Sequence, residues 1–455
     1  MQIQQYKKGS TITAIATPLG EGAISVIRIS GPEAILISEK IFSGAVTSYK
    51  SHTAHYGRIV GRQGEVIDHV LLLVFRAPRS YTGEETVELH CHGGSLVTRR
   101  VLERVLEAGA QAALPGEFTF QAFLNGKLDL AQAEAVQQLI ASKSDLARES
   151  SSRQLEGALS KRIRQFQEEL TKIAAILEAW VDFPEEGLEF ATMDEIVGSL
   201  EETCQRMRRL HETFEDGKII HQGLSLCLLG SPNVGKSSLM NALLGKERAI
   251  VTEVAGTTRD LIEDDLRLSG LSFKLIDTAG IRDTEEKIEK EGIRRSRLAM
   301  QQADLILLLL DASRPLNEGD RELLSLAPQE KTILVWNKID LAAPPETISW
   351  KNSIRLSAKA GTGLEQLRSA LHHMIWKDGP PSKDEVVLSS LRHFQALTEA
   401  IVFCETVIQG LRNNISPEFI AFDMRMCLHH LASILGTNVS EDILSSIFSQ
   451  FCLGK

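Results

Sequence analysis

The stretch that decides the fold is GSPNVGKS, from Gly230 to Ser237. It follows the apolar run LSLCLLG and opens a segment of helical pattern, which is the strand–loop–helix context of a phosphate-binding P-loop. In such a loop the backbone N–H groups cradle the phosphates, Lys236 places its charge on the β and γ phosphates, and the Ser237 hydroxyl ligates Mg²⁺. The stretch therefore predicts an α/β nucleotide-binding domain.

Four further motifs follow the P-loop in the order that GTPases show. Asp340 can accept two hydrogen bonds from the ring N–H and the 2-amino group of guanine, and adenine lacks both donors, so the predicted ligand is GTP. We expect Asn337 and the Ala358 N–H to complete the base pocket. The motifs are TTRD (Thr257 to Asp260), DTAG (Asp277 to Gly280), NKID (Asn337 to Asp340) and SAK (Ser357 to Lys359).

The pattern along the chain predicts a multidomain protein with three regions. Short β-rich runs predict an N-terminal α+β domain over 1–120. Apolar residues at three and four spacing predict helices over 121–215 and 379–455, and the second stretch is too small for its own core. We expect these stretches to form one discontinuous α-helical domain, with a Ras-like α/β P-loop GTPase domain, 216–378, inserted in it.

Composition limits the partners and the compartment. The 455 residues carry a formal charge of −10, which disfavours coating of nucleic acid through bulk electrostatics. No apolar run is long enough to cross a bilayer, and the six cysteines form no C-x-x-C pair, so we expect a cytoplasmic protein that makes no membrane contact. His90, Cys91 and His92 are poor metal ligands in a strand, because alternate side chains face opposite ways.

Beyond the GTPase motifs, five further stretches are distinctive. They are ATPLGEGAISVIRISG (Ala16 to Gly31), SYTGEETVELHCHGG (Ser80 to Gly94), PGEFTFQAFLNGKLDLAQAEAV (Pro115 to Val136), DFPEE (Asp182 to Glu186) and FCLGK (Phe451 to Lys455). In these stretches the chain resembles the tRNA-modifying GTPase family MnmE, also called TrmE, over nearly its whole length.

The resemblance implies how GTP is hydrolysed although Ile281 stands where Ras-type proteins have a water-orienting glutamine. Family members are activated when two G domains meet around K⁺. The K⁺ ligands would be Asn233, Thr252, Val254 and Thr257, and those of Mg²⁺ would be Ser237 and Thr258. Glu289 would orient the attacking water, although its charged run could instead be a solvated switch segment.

The residues predicted to contact GTP include those of the loop before TTRD. Lys236, one of this set, is also predicted to be catalytic. The set is Asn233, Val234, Gly235, Lys236, Ser237, Ser238, Thr252, Glu253, Val254, Ala255, Gly256, Thr257, Thr258, Asp277, Thr278, Ala279, Gly280, Asn337, Lys338, Asp340, Ser357, Ala358 and Lys359.

The resemblance also implies that the N-terminal domain dimerises and binds a reduced folate, 5-formyl- or 5,10-methylene-tetrahydrofolate. Arg28 and Glu88 could equally be cross-strand ion-pair partners, and Lys127 could simply cap a turn. Cys452 would lie near the folate with a catalytic role, or could be a buried small apolar group. The implied folate contacts are Arg28, Glu88, Lys127 and Lys455.

By resemblance, the protein is the GTPase half of a complex that installs a carboxymethylaminomethyl group on C5 of the wobble uridine, U34, of certain tRNAs. A homodimer would join the FAD-dependent protein MnmG in a heterotetramer. The alternatives are a ribosome-assembly GTPase and a GTP-switched recruitment module.

Leu114 and Gln121 depart from the family pattern, in which arginines are common at both positions. The helical basic residues that could meet tRNA, or simply be solvated, are Arg153, Lys161, Arg162, Arg164, Arg206, Arg208 and Arg209.

Overall fold

The computed structural model describes residues 9–18, 20–182, 192–244, 265–268, 270–276, 297–376, 379–382 and 385–455. These residues divide into two compact units. The first unit is drawn from 1–140, 151–208 and 395–455, and the second from 141–150 and 209–394. In the described residues, no helix has both the length and the apolar character that a membrane span requires.

Twelve strands and fourteen helices have defined bounds. The strands are β1 Ile12–Ile15, β2 Ile24–Ser30, β3 Thr53–Val60, β4 Val66–Phe75, β5 Thr86–His92, β6 Gln111–Ala112, β7 Leu224–Leu229, β8 Asp265–Leu268, β9 Leu271–Ile276, β10 Leu305–Asp311, β11 Thr332–Asn337 and β12 Ser353–Arg355. The helices are α1 Ala34–Ile41, α2 Ser95–Ala108, α3 Glu117–Leu124, α4 Leu130–Ala141, α5 Asp145–Leu155, α6 Ala158–Asp182, α7 Met193–Glu212, α8 Phe214–Gln222, α9 Lys236–Leu244, α10 Glu318–Leu326, α11 Leu364–Ile375, α12 Leu391–Arg412, α13 Pro417–Leu435 and α14 Glu441–Phe448.

The N-terminal sheet of the first unit has the strand order β3-β4-β5-β2-β1-β6. Every described pair is antiparallel except β1 with β6. Side chains of β2, β4 and β5 alternate in burial, so one face packs on α1 and α2 through residues such as Ile27, Leu72 and Leu89. The other face carries polar side chains, among them Arg28 and Glu88, which are register partners across β2 and β5.

The helical part of the first unit joins segments from both ends of the chain. Leu159, Ile163, Phe166, Leu170, Ile173 and Leu177 of α6 recur at three and four spacing and are buried. The α6 helix packs along α13, and Arg425 Nη1 lies 2.7 Å from Glu178 Oε1. The predicted fold class, with a discontinuous helical domain around an inserted α/β domain, is confirmed.

The sheet of the second unit has the strand order β12-β11-β10-β7-β9-β8. All its pairs are parallel except β8 with β9. Every residue of β10 and β11 is buried, as expected for strands covered on both faces. The carboxyl ends of β7, β10 and β11 therefore lie side by side, where α/β proteins of this kind bind ligands.

Leu431→Ala tests the joining of the two helical segments. Leu431 of α13 has no exposed surface, so truncation is expected to lower the free energy of unfolding of the helical unit by about 2–5 kcal/mol. Urea unfolding with hydrogen exchange measured at the α6 amides reports the effect. The control is Leu391→Ala at a 58% exposed position, with an expected change of about 0.5 kcal/mol or less. Unchanged α6 protection in Leu431→Ala would contradict the shared core.

Candidate functional site

The P-loop has the backbone that its glycines predict. Gly230 has a φ of 147°, and a Cβ there would lie 2.5 Å from the Leu309 carbonyl oxygen. Gly235 has a φ of 99°, and its Cβ would lie 2.3 Å from Asn337 Nδ2. Both positions exclude side chains, so the loop backbone packs directly against β10 and the end of β11.

Lys236 begins α9 and lies over the loop that precedes it. Its Nζ donates to the carbonyl oxygens of Gly230, at 2.6 Å, and Ser231, at 3.0 Å. Burial lowers the pKa of Lys236, so the site holds a partly desolvated ammonium at a helix N-terminus. A phosphate anion placed there would restore the lost solvation of the ammonium and meet the free N–H groups of the helix.

Asn337 connects the P-loop to the SAK loop. Its Nδ2 donates to the Val234 carbonyl oxygen at 2.8 Å, and its Oδ1 accepts from the Ala358 N–H at 3.0 Å. Asn337 is 2% exposed, so both hydrogen bonds are shielded from water. The side chain thus positions both loops, whereas Asp340 is exposed at the end of the same motif.

A second buried support of the P-loop was missed from the sequence. Asp320 of α10 has no exposed surface, and its Oδ1 accepts from Ser231 Oγ at 2.6 Å. Its other oxygen accepts from the Asn317 N–H at 3.1 Å and lies 2.9 Å from Arg314 Nη1. The sequence signal was N-x-x-D ahead of a helix, which is a capping box, and that signal does not reveal the bond to Ser231.

Lys338 holds the start of the guanine motif against β10. Its Nζ contacts Asp311 Oδ2 at 2.6 Å, and its φ is 66°. Burial alone would raise the pKa of Asp311, but hydrogen bonds from Lys338 and Ser313 lower it overall, so the Asp311 carboxylate is charged at neutral pH. Asn337 and Lys338 therefore both anchor the loop that follows β11, where the base pocket is predicted.

The described residues fit part of a Mg²⁺–nucleotide site. Ser237 and Ser238 are exposed in the first turn of α9, and Asn233 is exposed with a φ of 62°. In the SAK loop, Ser357 is buried and Lys359 is exposed. Other predicted contacts to GTP, Mg²⁺ and K⁺ and the predicted catalytic glutamate lie outside the described residues. They are Thr252, Glu253, Val254, Ala255, Gly256, Thr257, Thr258, Asp277, Thr278, Ala279, Gly280 and Glu289.

In the first unit, Arg28 joins the N-terminal sheet to the C-terminal tail. Arg28 Nε donates to Glu88 Oε1 at 2.9 Å, and Arg28 Nη1 donates to the Gly454 carbonyl oxygen at 3.4 Å. Burial lowers the pKa of Lys455, and the charge of Arg28 adds to that effect, while Glu88 and Cys452 oppose it. Three of the four residues predicted to bind folate therefore lie together, and Arg28 and Glu88 also form the cross-strand pair that was the alternative.

Two aromatic rings and one glycine hold this cluster in place. The guanidinium carbon of Arg28 lies 5.6 Å from the ring centroids of both Tyr81 and Phe118. Gly454 has a φ of 89°, and a Cβ there would lie 2.5 Å from the Ile15 carbonyl oxygen. The tail backbone therefore packs directly against the end of β1.

The two other predicted residues of this region differ in their surroundings. Cys452 is exposed, so burial as a small apolar group does not explain it. Lys127 Nζ donates to the Pro78 carbonyl oxygen at 3.1 Å, and its side chain lies beside Gly83. Lys127 therefore contacts the loop that precedes β5, and its role in folate binding stays a prediction.

Several helical basic residues considered for tRNA contact are ion-paired. Arg164 lies 2.7 Å from Asp129, Arg206 pairs with Glu169, and Arg208 pairs with Glu405. Each carboxylate offsets the charge that a phosphate backbone would meet. These three positions are less suited to tRNA than the sequence alone suggested.

The P-loop, the side chains of Asn337 and Asp320 that support it, and the parallel sheet define a P-loop GTPase domain. In the sequence this domain is inserted in the first unit, which has an α+β part and a helical part. Two family models match the chain: the GTP-binding protein TrmE N-terminus over residues 11–127, and the MnmE helical domain over residues 130–452, a range that includes the P-loop. The second match alone covers more than half of the chain. The chain belongs to the MnmE family, also called TrmE.

Curated relatives share the full length. The tRNA modification GTPase MnmE of Protochlamydia amoebophila is 59% identical over 455 residues, 99% of each chain. The protein of the same name from Chlamydia trachomatis serovar L2 is 44% identical over 98% of this chain and 100% of its own. Among solved structures, the G domain of the T. maritima FeoB iron transporter is 26% identical over 34% of this chain and 99% of its own, with a TM-score of 0.25.

Asn337→Ala tests whether the Asn337 side chain positions the P-loop and the SAK loop. It leaves the Val234 carbonyl and the Ala358 N–H without their partner, and each unpaired buried group costs about 1–3 kcal/mol. We expect guanine nucleotide affinity to fall about 10- to 100-fold, measured by titration with fluorescent GDP. Asn413→Ala, an exposed asparagine outside the second unit, is the control and should bind normally. Affinity within twofold of wild type in Asn337→Ala would contradict this role.

Proposed function

We propose that this protein is the GTP-hydrolysing subunit of the complex that adds a carboxymethylaminomethyl group to C5 of the wobble uridine, U34, of certain tRNAs. The observation that carries the proposal is the full-length match to a relative named tRNA modification GTPase MnmE, at 59% identity over 99% of both chains. The proposed partners are a second copy of the chain, the FAD-dependent MnmG and tRNA, in the cytoplasm.

In the nucleotide site, the chain's own residues bind and orient GTP. The P-loop backbone and the α9 N-terminus hold the phosphates, and Lys236 neutralises charge on the β and γ oxygens. Ser237 and Thr258 would hold Mg²⁺, and Asn233, Thr252, Val254 and Thr257 would hold K⁺. These cations supply charge stabilisation during phosphoryl transfer.

Catalysis of hydrolysis is assigned to Glu289, which would orient the water that attacks the γ-phosphate. Asp340, with the Ala358 loop that Asn337 holds, would select guanine. Because Lys236 is already desolvated, its interaction with phosphate loses little to competing water.

In the N-terminal unit, we propose that Arg28, Glu88, Lys127 and Lys455 bind a tetrahydrofolate derivative that supplies the one-carbon unit. The observation that supports this is the meeting of Arg28, Glu88 and the tail at one point of the open sheet face. Tyr81 and Phe118 fix the Arg28 guanidinium, so its remaining N–H groups keep a defined direction toward a ligand. Cys452, exposed two residues before Gly454, would act on the tRNA modification itself.

The pathway is tested in cells. Nucleoside mass spectrometry of tRNA from cells lacking this protein should show loss of the C5 modification at U34 and its return on complementation with the intact chain. We expect the Cys452→Ser variant to fold, hydrolyse GTP and fail to restore the modification. Its matched control is Cys404→Ser, which changes a buried thiol of α12 instead of the exposed one. A folded Cys404→Ser chain should restore the modification. An unchanged nucleoside profile in a non-redundant deletion strain would point instead to ribosome assembly.

K⁺ dependence is tested by GTP turnover in KCl and NaCl at equal ionic strength. We expect turnover to fall about 10-fold or more in NaCl, since charge stabilisation of the transition state contributes factors of this size. Asn233→Gly keeps the left-handed backbone of this position and removes the carboxamide, so it should lose the K⁺ stimulation. Equal turnover in the two salts would refute the K⁺ site.

A further inference from the structure

A small cavity lies beside α3 in the first unit. It is large enough for one water-sized group. We name it the Gln121 pocket. Its lining residues include Glu84, Glu117, Phe120, Gln121, Leu124 and Asn125.

Gln121 and Glu84, which line this pocket, each carry a buried side-chain oxygen atom. Gln121 is 5% exposed, and its Nε2 donates to the Ser10 carbonyl oxygen at 3.5 Å, which leaves Oε1 as the free end of the amide. Across the ranges that the structure describes, Gln121 Oε1 and Glu84 Oε2 have no hydrogen-bond donor. Buried acceptors without donors are costly, so the pocket favours a group that donates to both or coordinates both.

Two carboxyl groups, those of Glu84 and Glu117, line the pocket. Glu117 is 4% exposed, and the only described donor to its Oε2 is the Leu114 N–H, at 2.7 Å. Burial raises the pKa of both Glu84 and Glu117, and only hydrogen bonds from Asn125 and Leu114 oppose it. Within the described part of the chain, neither carboxylate forms an ion pair.

Position 121 of the sequence is relevant to these two carboxyl groups. Gln121 stands where an arginine is common in the family pattern, and an arginine at this position of α3 would bring a guanidinium to the two carboxylates. In this chain Glu84 and Glu117 are present and the side chain at position 121 is neutral.

We infer that the Gln121 pocket binds a small monovalent cation, ammonium or potassium, through oxygen atoms of Glu84, Glu117 and Gln121. Both ions are close to water in size, as the cavity requires. Mg²⁺ fits poorly, because it demands near-ideal octahedral geometry and usually keeps several waters, which a cavity for one water-sized group does not hold. The bound cation stabilises the start of α3 and the loop that carries Glu84, and the inference is independent of the proposed function.

The test is hydrogen exchange of the full-length, nucleotide-free chain, read at the amides of α3. Choline chloride is replaced by NH₄Cl, KCl or NaCl at constant ionic strength. With cation at ten times its Kd, exchange through openings that release the cation should slow about tenfold. Saturable slowing by ammonium or potassium supports the site, and equal rates in all four salts overturn it.

Matched variants separate this site from other salt effects. Gln121→Arg supplies the internal cation, so its α3 amides should exchange slowly in choline and gain nothing from ammonium or potassium. Glu84→Gln removes one charge and should lose the response, which keeps the test decisive if the arginine variant does not fold. Asn233→Gly should respond like wild type in the nucleotide-free chain, because Asn233 belongs to the predicted nucleotide and K⁺ site of the G domain and does not line the pocket. A full response in both pocket variants would overturn the inference.

Discussion

The nucleotide site depends on one buried carboxamide. Asn337 Nδ2 and Val234 O are 103 residues apart in the chain, and their hydrogen bond fixes the P-loop relative to the guanine motif. The same side chain accepts from Ala358, so three motifs are positioned through one residue. Close approach is possible only because Gly235 has no Cβ. The glycine spacing of the P-loop and the asparagine of NKID are thus parts of a single steric and hydrogen-bonding constraint.

A comparable long-range contact organises the first unit. Arg28 and Gly454 are 426 residues apart, yet the guanidinium reaches the tail carbonyl while it pairs with Glu88. The tail approaches β1 closely because position 454 is a glycine. Strands β2 and β5 and the C-terminal tail therefore form one polar cluster on the sheet face that α1 and α2 leave uncovered.

Sequence reasoning predicted those features that depend on local geometry. The P-loop, the parallel buried strands and the helical spacing of α6 are each visible within about ten residues, so the fold class and the nucleotide motifs followed directly. The pairing of Arg28 with Glu88 was also foreseen as a cross-strand alternative. The support of Ser231 by Asp320, the ring contacts of Arg28 and the two carboxyl groups that line the Gln121 pocket were not. Each depends on which distant side chains meet after folding, and one sequence contains no record of those distances.

The discontinuous first unit has a consequence for synthesis on the ribosome. The apolar face of α6 is complete at Asp182, but its partner α13 begins at Pro417, about 235 residues later. At a synthesis rate of 5–20 residues per second, α13 is made on the order of 10–50 s after α6 is complete. During this interval the inserted GTPase domain can fold by itself, while the exposed stripe on α6 is a surface for chaperones or for misassembly with other nascent chains.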